Sequence, residues 1–254
     1  MRKVLVIAAV LCAFCATQAA AQIVIPNFTI PTIMMAKAPV NYDPFYVLPG
    51  TAGSIGVDAG ITSPDVSSIA DVSDVWLVGK YSVNDKIEVG ARATFGFLRT
   101  DGDAFSSALI GAKYGITEKS AATANVLVPI GEVEDPGVSV GYMQSLTVGT
   151  INVDCQAAAS LLDGYTGGTG VGIDLLIEPS KVINDKMTAY LDVLVSTNTD
   201  DIAGDPLGIN LRPYVDYTVQ EGLVISAGVS VGIAGDAKQD DIGIQVAAIK
   251  TMSK

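Results

Sequence analysis

From Lys86 to Phe97 the chain alternates without a break. Ile87, Val89, Ala91, Ala93, Phe95 and Phe97 take one parity, and Lys86, Glu88, Gly90, Arg92, Thr94 and Gly96 the other. Successive side chains of a strand point to opposite faces, so this segment has one apolar face and one polar or small face. The split recurs at Ile151, Val153, Cys155, Ala157, Ala159 and Leu161 against Asn152, Asp154, Gln156, Ala158 and Ser160. It recurs at Leu223, Ile225, Ala227, Val229, Val231 and Ile233, and around Ile55, Ala108, Ala122, Val138, Val171, Met187, Ile209 and Ile242. Trp76 with Val78, and Leu194, put large apolar groups on the polar parity of their own segments. About twelve such segments are present, many near the roughly 9–11 residues that a tilted strand needs to cross a bilayer.

Composition narrows the alternatives. Apolar residues make up 49% of the chain and charged residues 17%. Beyond the N-terminus, no run of eighteen apolar residues occurs, which excludes spanning helices. The connections alternate in length. Tight ones lie at Val83–Ile87, Ile116–Lys119, Val148–Ile151, Ile183–Met187 and Val219–Gly222, and their first residues are spaced by 33, 32, 35 and 36. Longer, acidic ones lie near 62–73, 98–105, 129–137, 162–168, 197–206 and 234–240. Short turns at one end and long loops at the other predict an all-β, antiparallel up-and-down transmembrane β-barrel of about twelve strands, with the short turns periplasmic. The first strand is expected near Gly53–Ile61 and the last near Asp241–Lys250. A soluble secreted β-sandwich would also alternate, but it carries no systematic asymmetry between turns and loops.

The N-terminus reads as a secretory signal over residues 1–21: Arg2 and Lys3, the apolar run Val4–Phe14, and small residues Ala19–Ala21 before Gln22. Leu11 and Phe14 precede Cys12 and Cys15 where a lipoprotein signal needs a small residue. Cleavage leaves 233 of the 254 residues, with 13 basic against 27 acidic side chains. Cys155 then stands as the single cysteine, so no internal disulfide forms. Such an acidic chain is not expected to bind nucleic acid. Residues 22–51, with Pro26, Pro31, Pro39, Pro44 and Pro49, form either a periplasmic arm or a lumen plug. The barrel is expected over 52–254, in the cell outer membrane, with lipid and the barrel assembly machinery as partners.

Tyr81, Tyr114 and Tyr217 each lie two residues before a short-turn Val or Ile, and Phe95, Phe97 and Phe105 lie near the opposite end, as interface aromatics would. If the apolar parity meets lipid, Lys80, Glu88, Arg92, Lys113, Asn125, Asp154, Asp174, Asp192, Arg212 and Asp216 point into the lumen. They would line a narrow selective pore, or pair across it and seal it. Acidic loop residues such as Asp101, Asp103, Glu132, Glu134 and Asp135 lack the spacing of a calcium loop, so no metal site is expected. The chain has no histidine, which removes His-dependent catalysis, and Gly164–Gly170 lacks the residues of a phosphate loop. Neither an enzyme nor a cofactor is expected.

The segments Gly79–Tyr81, Gly111–Glu118 and Tyr214–Leu223 resemble hairpins of bacterial outer-membrane barrels. Over roughly residues 52–250 the chain is most similar to the outer-membrane proteins of the meta pathway of phenol degradation. That resemblance implies transport of small, hydrophobic compounds. Such barrels usually end in an aromatic residue, whereas this chain ends Thr251-Met252-Ser253-Lys254. The function expected is therefore a passive pore or transporter for small molecules; a sealed structural or surface-interaction barrel is the alternative.

Overall fold

In the computed structural model the alternating segment that begins at Lys86 is a strand over Ile87–Phe95, with eleven others around it. The structure describes residues 52–63, 74–96, 105, 107–128, 130, 136–162, 171–198, 208–234 and 242–252, the side chains of Leu162 and Asn198 excepted. The signal, the proline-rich arm, Phe97, the Gly164–Gly170 segment and the acidic loop residues named above lie outside the described residues. The strands are β1 (Ile55–Ser63), β2 (Asp74–Asn84), β3 (Ile87–Phe95), β4 (Ser107–Thr117), β5 (Ser120–Val128) and β6 (Gly137–Val148). They continue as β7 (Ile151–Leu162), β8 (Val171–Asn184), β9 (Met187–Asn198), β10 (Gly208–Gln220), β11 (Leu223–Ala234) and β12 (Gly243–Met252).

Each strand pairs antiparallel with the next, and β12 returns to β1, from Ile55 opposite Met252 to Ser63 opposite Ile244. The twelve strands thus close into one sheet with no free edge, the condition for a sheet to cross hydrocarbon. The β-sandwich alternative is overturned, because a sandwich needs two separate sheets. Both terminal strands begin within two residues of where the alternation places them.

Turn chemistry explains the short connections. Asn84 Oδ1 accepts from the backbone N–H groups of Lys86 (2.8 Å) and Ile87 (3.0 Å), and Asn184 Oδ1 does the same for Lys186 (2.9 Å). Thr117 Oγ1 accepts from Lys119 N at 3.1 Å. At β6–β7 the chain turns instead through Gly149 at φ +64°, a left-handed conformation that a side chain disfavours. Four of the five turns carry an unmatched residue: the ladder slips around Val83, Ile116, Ile183 and Val219. Each slip is a local bulge, which raises the twist where the strands reverse.

The two parities separate as the alternation demands. Ile110, Val126, Val140, Ile173, Val229 and Val246 are exposed on the outer face. A continuous apolar girdle of this kind is unfavourable in water and favourable in a bilayer. Charged and polar side chains of the opposite parity are buried inside.

Candidate lumen site

All ten residues expected in the lumen lie on the inward parity of their strands. Asp58, Asp74 and Glu178, which the sequence reading did not single out, join them there. Tyr81, Tyr114 and Tyr217 stand exposed on the outer face near the short turns. At the other end Phe95 and Phe105 meet edge to face, with ring centres 5.3 Å apart.

The inward charges divide into two walls. On β1–β4, Asp58 is ion-paired with Lys80, and Glu88 accepts from Lys113 Nζ at 2.7 Å. The Arg92 guanidinium lies over the Trp76 ring, 4.9 Å from its centre, an arrangement that the ring's negative face stabilises. Trp76 in turn donates its indole N–H to Thr62 Oγ1 at 3.1 Å. It lies against Gly60, where an added Cβ would come within 2.5 Å of the ring. With Asp74, this wall carries three acids and three bases.

On β7–β10 the balance is different. Asp154, Asp174, Glu178, Asp192 and Asp216 are opposed by Arg212 alone among the inward-facing described residues of these strands. Arg212 Nη2 sits 2.6 Å from Asp192 Oδ2. Tyr214 donates its hydroxyl to Glu178 Oε2 at 2.7 Å, and Ser145 donates to Asp154. Tyr190 and Tyr214 stack with ring centres 4.4 Å apart and planes 2° from parallel. Ionised carboxylates only accept hydrogen bonds, so hydroxyls and one guanidinium are the donors that make this wall tolerable.

An apolar layer crosses the lumen among the charges. Arg212 lies eight residues from the short-turn end of its strand, level with this layer. Asp74 and Asp174 lie ten residues from theirs, beyond it. Trp76, Leu109, Leu127, Leu176 and Leu194 each sit seven or eight residues from the short-turn end of their strand. Lys80, Glu88, Arg92, Lys113, Asp154, Glu178, Asp192 and Asp216 sit only one to six residues from it. Leu109 pairs with Leu127 on β4–β5, and Leu176 with Leu194 on β8–β9, a third of the way round the barrel from the first pair. The residues that broke the alternation, Trp76 and Leu194, therefore belong to an internal collar. All five collar side chains are at most 5% exposed, so the lumen is narrow at this level.

Solved structures show what else is built this way. The KdgM porin in complex with disordered oligogalacturonate aligns with a TM-score of 0.56 at 8% identity, over 79% of this chain and 99% of that one. Its fold is shared with outer-membrane channels. An outer-membrane channel from Pseudomonas putida F1 aligns at 0.55 and 14% identity, over 84% of this chain and 100% of its own. The NanC porin aligns at 0.55 and 8%, over 78% and 100%. No family model and no curated protein matches the sequence.

The signal for the missed residues was parity. Glu178 shares the parity of Asp174, and Asp58 lies one step from Val57 on the polar parity of β1.

Proposed function

We propose that this chain is an outer-membrane channel for small molecules, with a narrow lumen that selects by charge and by an apolar collar. The observation that carries the reading is the closed barrel whose girdle is apolar outside while ion pairs and carboxylates line it inside. Water-filled porins keep a polar interior, whereas a ring of leucines and a tryptophan favours solutes that carry hydrocarbon. That supports the solute class implied by the resemblance to the phenol meta-pathway proteins. Oligogalacturonate, named for the KdgM porin, is a polyanion. A lumen with eight acids against four bases among its described residues would repel such a solute. Residence in the outer membrane would follow cleavage of residues 1–21 and insertion by the barrel assembly machinery. No covalent chemistry and no nucleic acid enters this reading.

The test is single-channel conductance of detergent-purified protein in a planar bilayer under a salt gradient. Discrete steps with a reversal potential of cation-selective sign are expected. Stable insertion without steps would instead support a sealed structural barrel, which the burial of the collar side chains favours as the second reading.

A further inference from the structure

Cross-strand register puts five inward side chains on one rung of the lumen wall. Ser145 faces Asp154, Asp154 faces Glu178, and Asp192 faces Arg212. The ladder between β8 and β9 keeps step from Ile177–Val193 to Ser180–Tyr190, which sets Glu178 opposite Asp192. Asp154, Glu178 and Asp192 are therefore lateral neighbours on three consecutive strands, each at most 8% exposed. Like charges directly opposite one another destabilise a sheet, and burial enlarges the repulsion.

Donors serve the two ends of this row. Ser145 donates to Asp154, and Arg212 holds Asp192. From the adjacent rung Tyr214 donates to Glu178 Oε2. No N–H or hydroxyl donor reaches Glu178 Oε1 or Asp192 Oδ1, and both residues are 1% exposed. The two carboxyls are nevertheless hydrogen-bonded to each other. An ionised carboxylate has no proton to donate, so such a bond exists only where one of the pair is a carboxylic acid. The other titratable or charged groups around the pair are Asp154 on β7, Tyr190 on β9, and Arg212, Tyr214 and Asp216 on β10. Arg212, the one base among them, approaches from the β10 side of Asp192, away from Glu178.

We propose that Glu178 and Asp192 share one proton at neutral pH, and that its release to water at mildly alkaline pH is a switch built into the wall. On release the pair passes from one negative charge to two. The link between β8 and β9 side chains then breaks, and the lumen becomes more anionic. This goes beyond the channel reading and holds whether or not the lumen conducts. The chain has no histidine, so a group that titrates between the carboxylate range and that of lysine and tyrosine stands on a quiet background.

The test is infrared spectroscopy of the full-length protein in lipid vesicles. A carboxylic-acid carbonyl band should be present at neutral pH and fade at mildly alkaline pH. It should be absent from Glu178→Gln, whose amide donates to Asp192 without a titratable proton. The folded parent holds one proton more than its unfolded chain, so its folding equilibrium constant should fall by up to about tenfold per pH unit across the release. Urea unfolding in the same vesicles reads that loss, and Glu178→Gln should show none. Should Glu178→Gln fail to fold, the band in the parent still decides, and Asp154→Asn, which leaves the pair intact, should retain both the band and its fading. Absence of the band at neutral pH, its survival in Glu178→Gln, or parallel pH profiles for the two chains would overturn the proposal. A band unchanged at mildly alkaline pH would overturn the switch. Failure to conduct in planar bilayers bears on the channel reading alone.

Discussion

Arg212 offers a direct test of how the lumen is held together. It is 4% exposed and, among the described inward-facing residues of β7–β10, is the sole base beside five acids, with Nη2 2.6 Å from Asp192 Oδ2. Arg212→Met keeps much of the side-chain length and removes the charge, leaving Asp192 buried and uncompensated. Breaking a buried pair from one side costs about 3–5 kcal/mol, most of it the penalty of the stranded partner. Arg212→Met with Asp192→Asn removes both charges and should recover most of the loss, to within about 1–2 kcal/mol of the parent. The assay is reversible urea unfolding in lipid vesicles, followed by the emission of Trp76, the only tryptophan in the chain. Trp76 lies on the opposite wall, so the probe is not part of the perturbation. Should the double variant prove no more stable than Arg212→Met alone, the ion pair would not be what keeps that wall intact.

Three further outcomes follow from packing and turn geometry. Gly60→Val forces a Cβ to within 2.5 Å of the Trp76 ring and 2.7 Å of the Val246 carbonyl oxygen. It should destabilise by about 1–3 kcal/mol and shift Trp76 emission, and unchanged emission would contradict the packing described. Asn84→Ala removes two hydrogen bonds to turn N–H groups and should lower the unfolding free energy by about 1 kcal/mol, measured in the same vesicles. Leu176→Ser with Leu194→Ser wets one side of the collar, and single-channel conductance should rise; an unaltered conductance would place the constriction elsewhere.

The strands were legible because two-residue periodicity has no helical counterpart, and the short turns because Asn84, Asn184 and Gly149 carry their own turn chemistry. Trp76, Val78 and Leu194 read as faults only under the assumption that an inward side chain must be polar. In a lumen filled by side chains, apolar groups bury against each other as in any core, and parity alone does not distinguish that layer from lipid-facing positions. Glu178 was hidden for a related reason: Leu175, Leu176 and Ile177 precede it, and an unbroken apolar run erases the alternation. The pairings Asp58–Lys80 and Glu88–Lys113 depend on cross-strand register. Both strand pairs are joined by long connections rather than short turns, so no turn chemistry in the sequence fixes their register, and a shift by two residues would leave the hydrophobic alternation unchanged.

Closure through Ile55 and Met252 also imposes an order of events on folding. Eleven of the twelve strand pairings join neighbours in sequence and can form as each hairpin appears. The twelfth must wait until nearly the whole chain exists, because it joins its two extremes. Until that moment β1 and β12 each present a row of unsatisfied backbone groups, the most aggregation-prone surface a strand can offer. The molecule therefore has no stable half-built form. A chain that loses β12 keeps every other hairpin and still exposes two raw edges, so a late truncation should be as damaging to assembly as an early one.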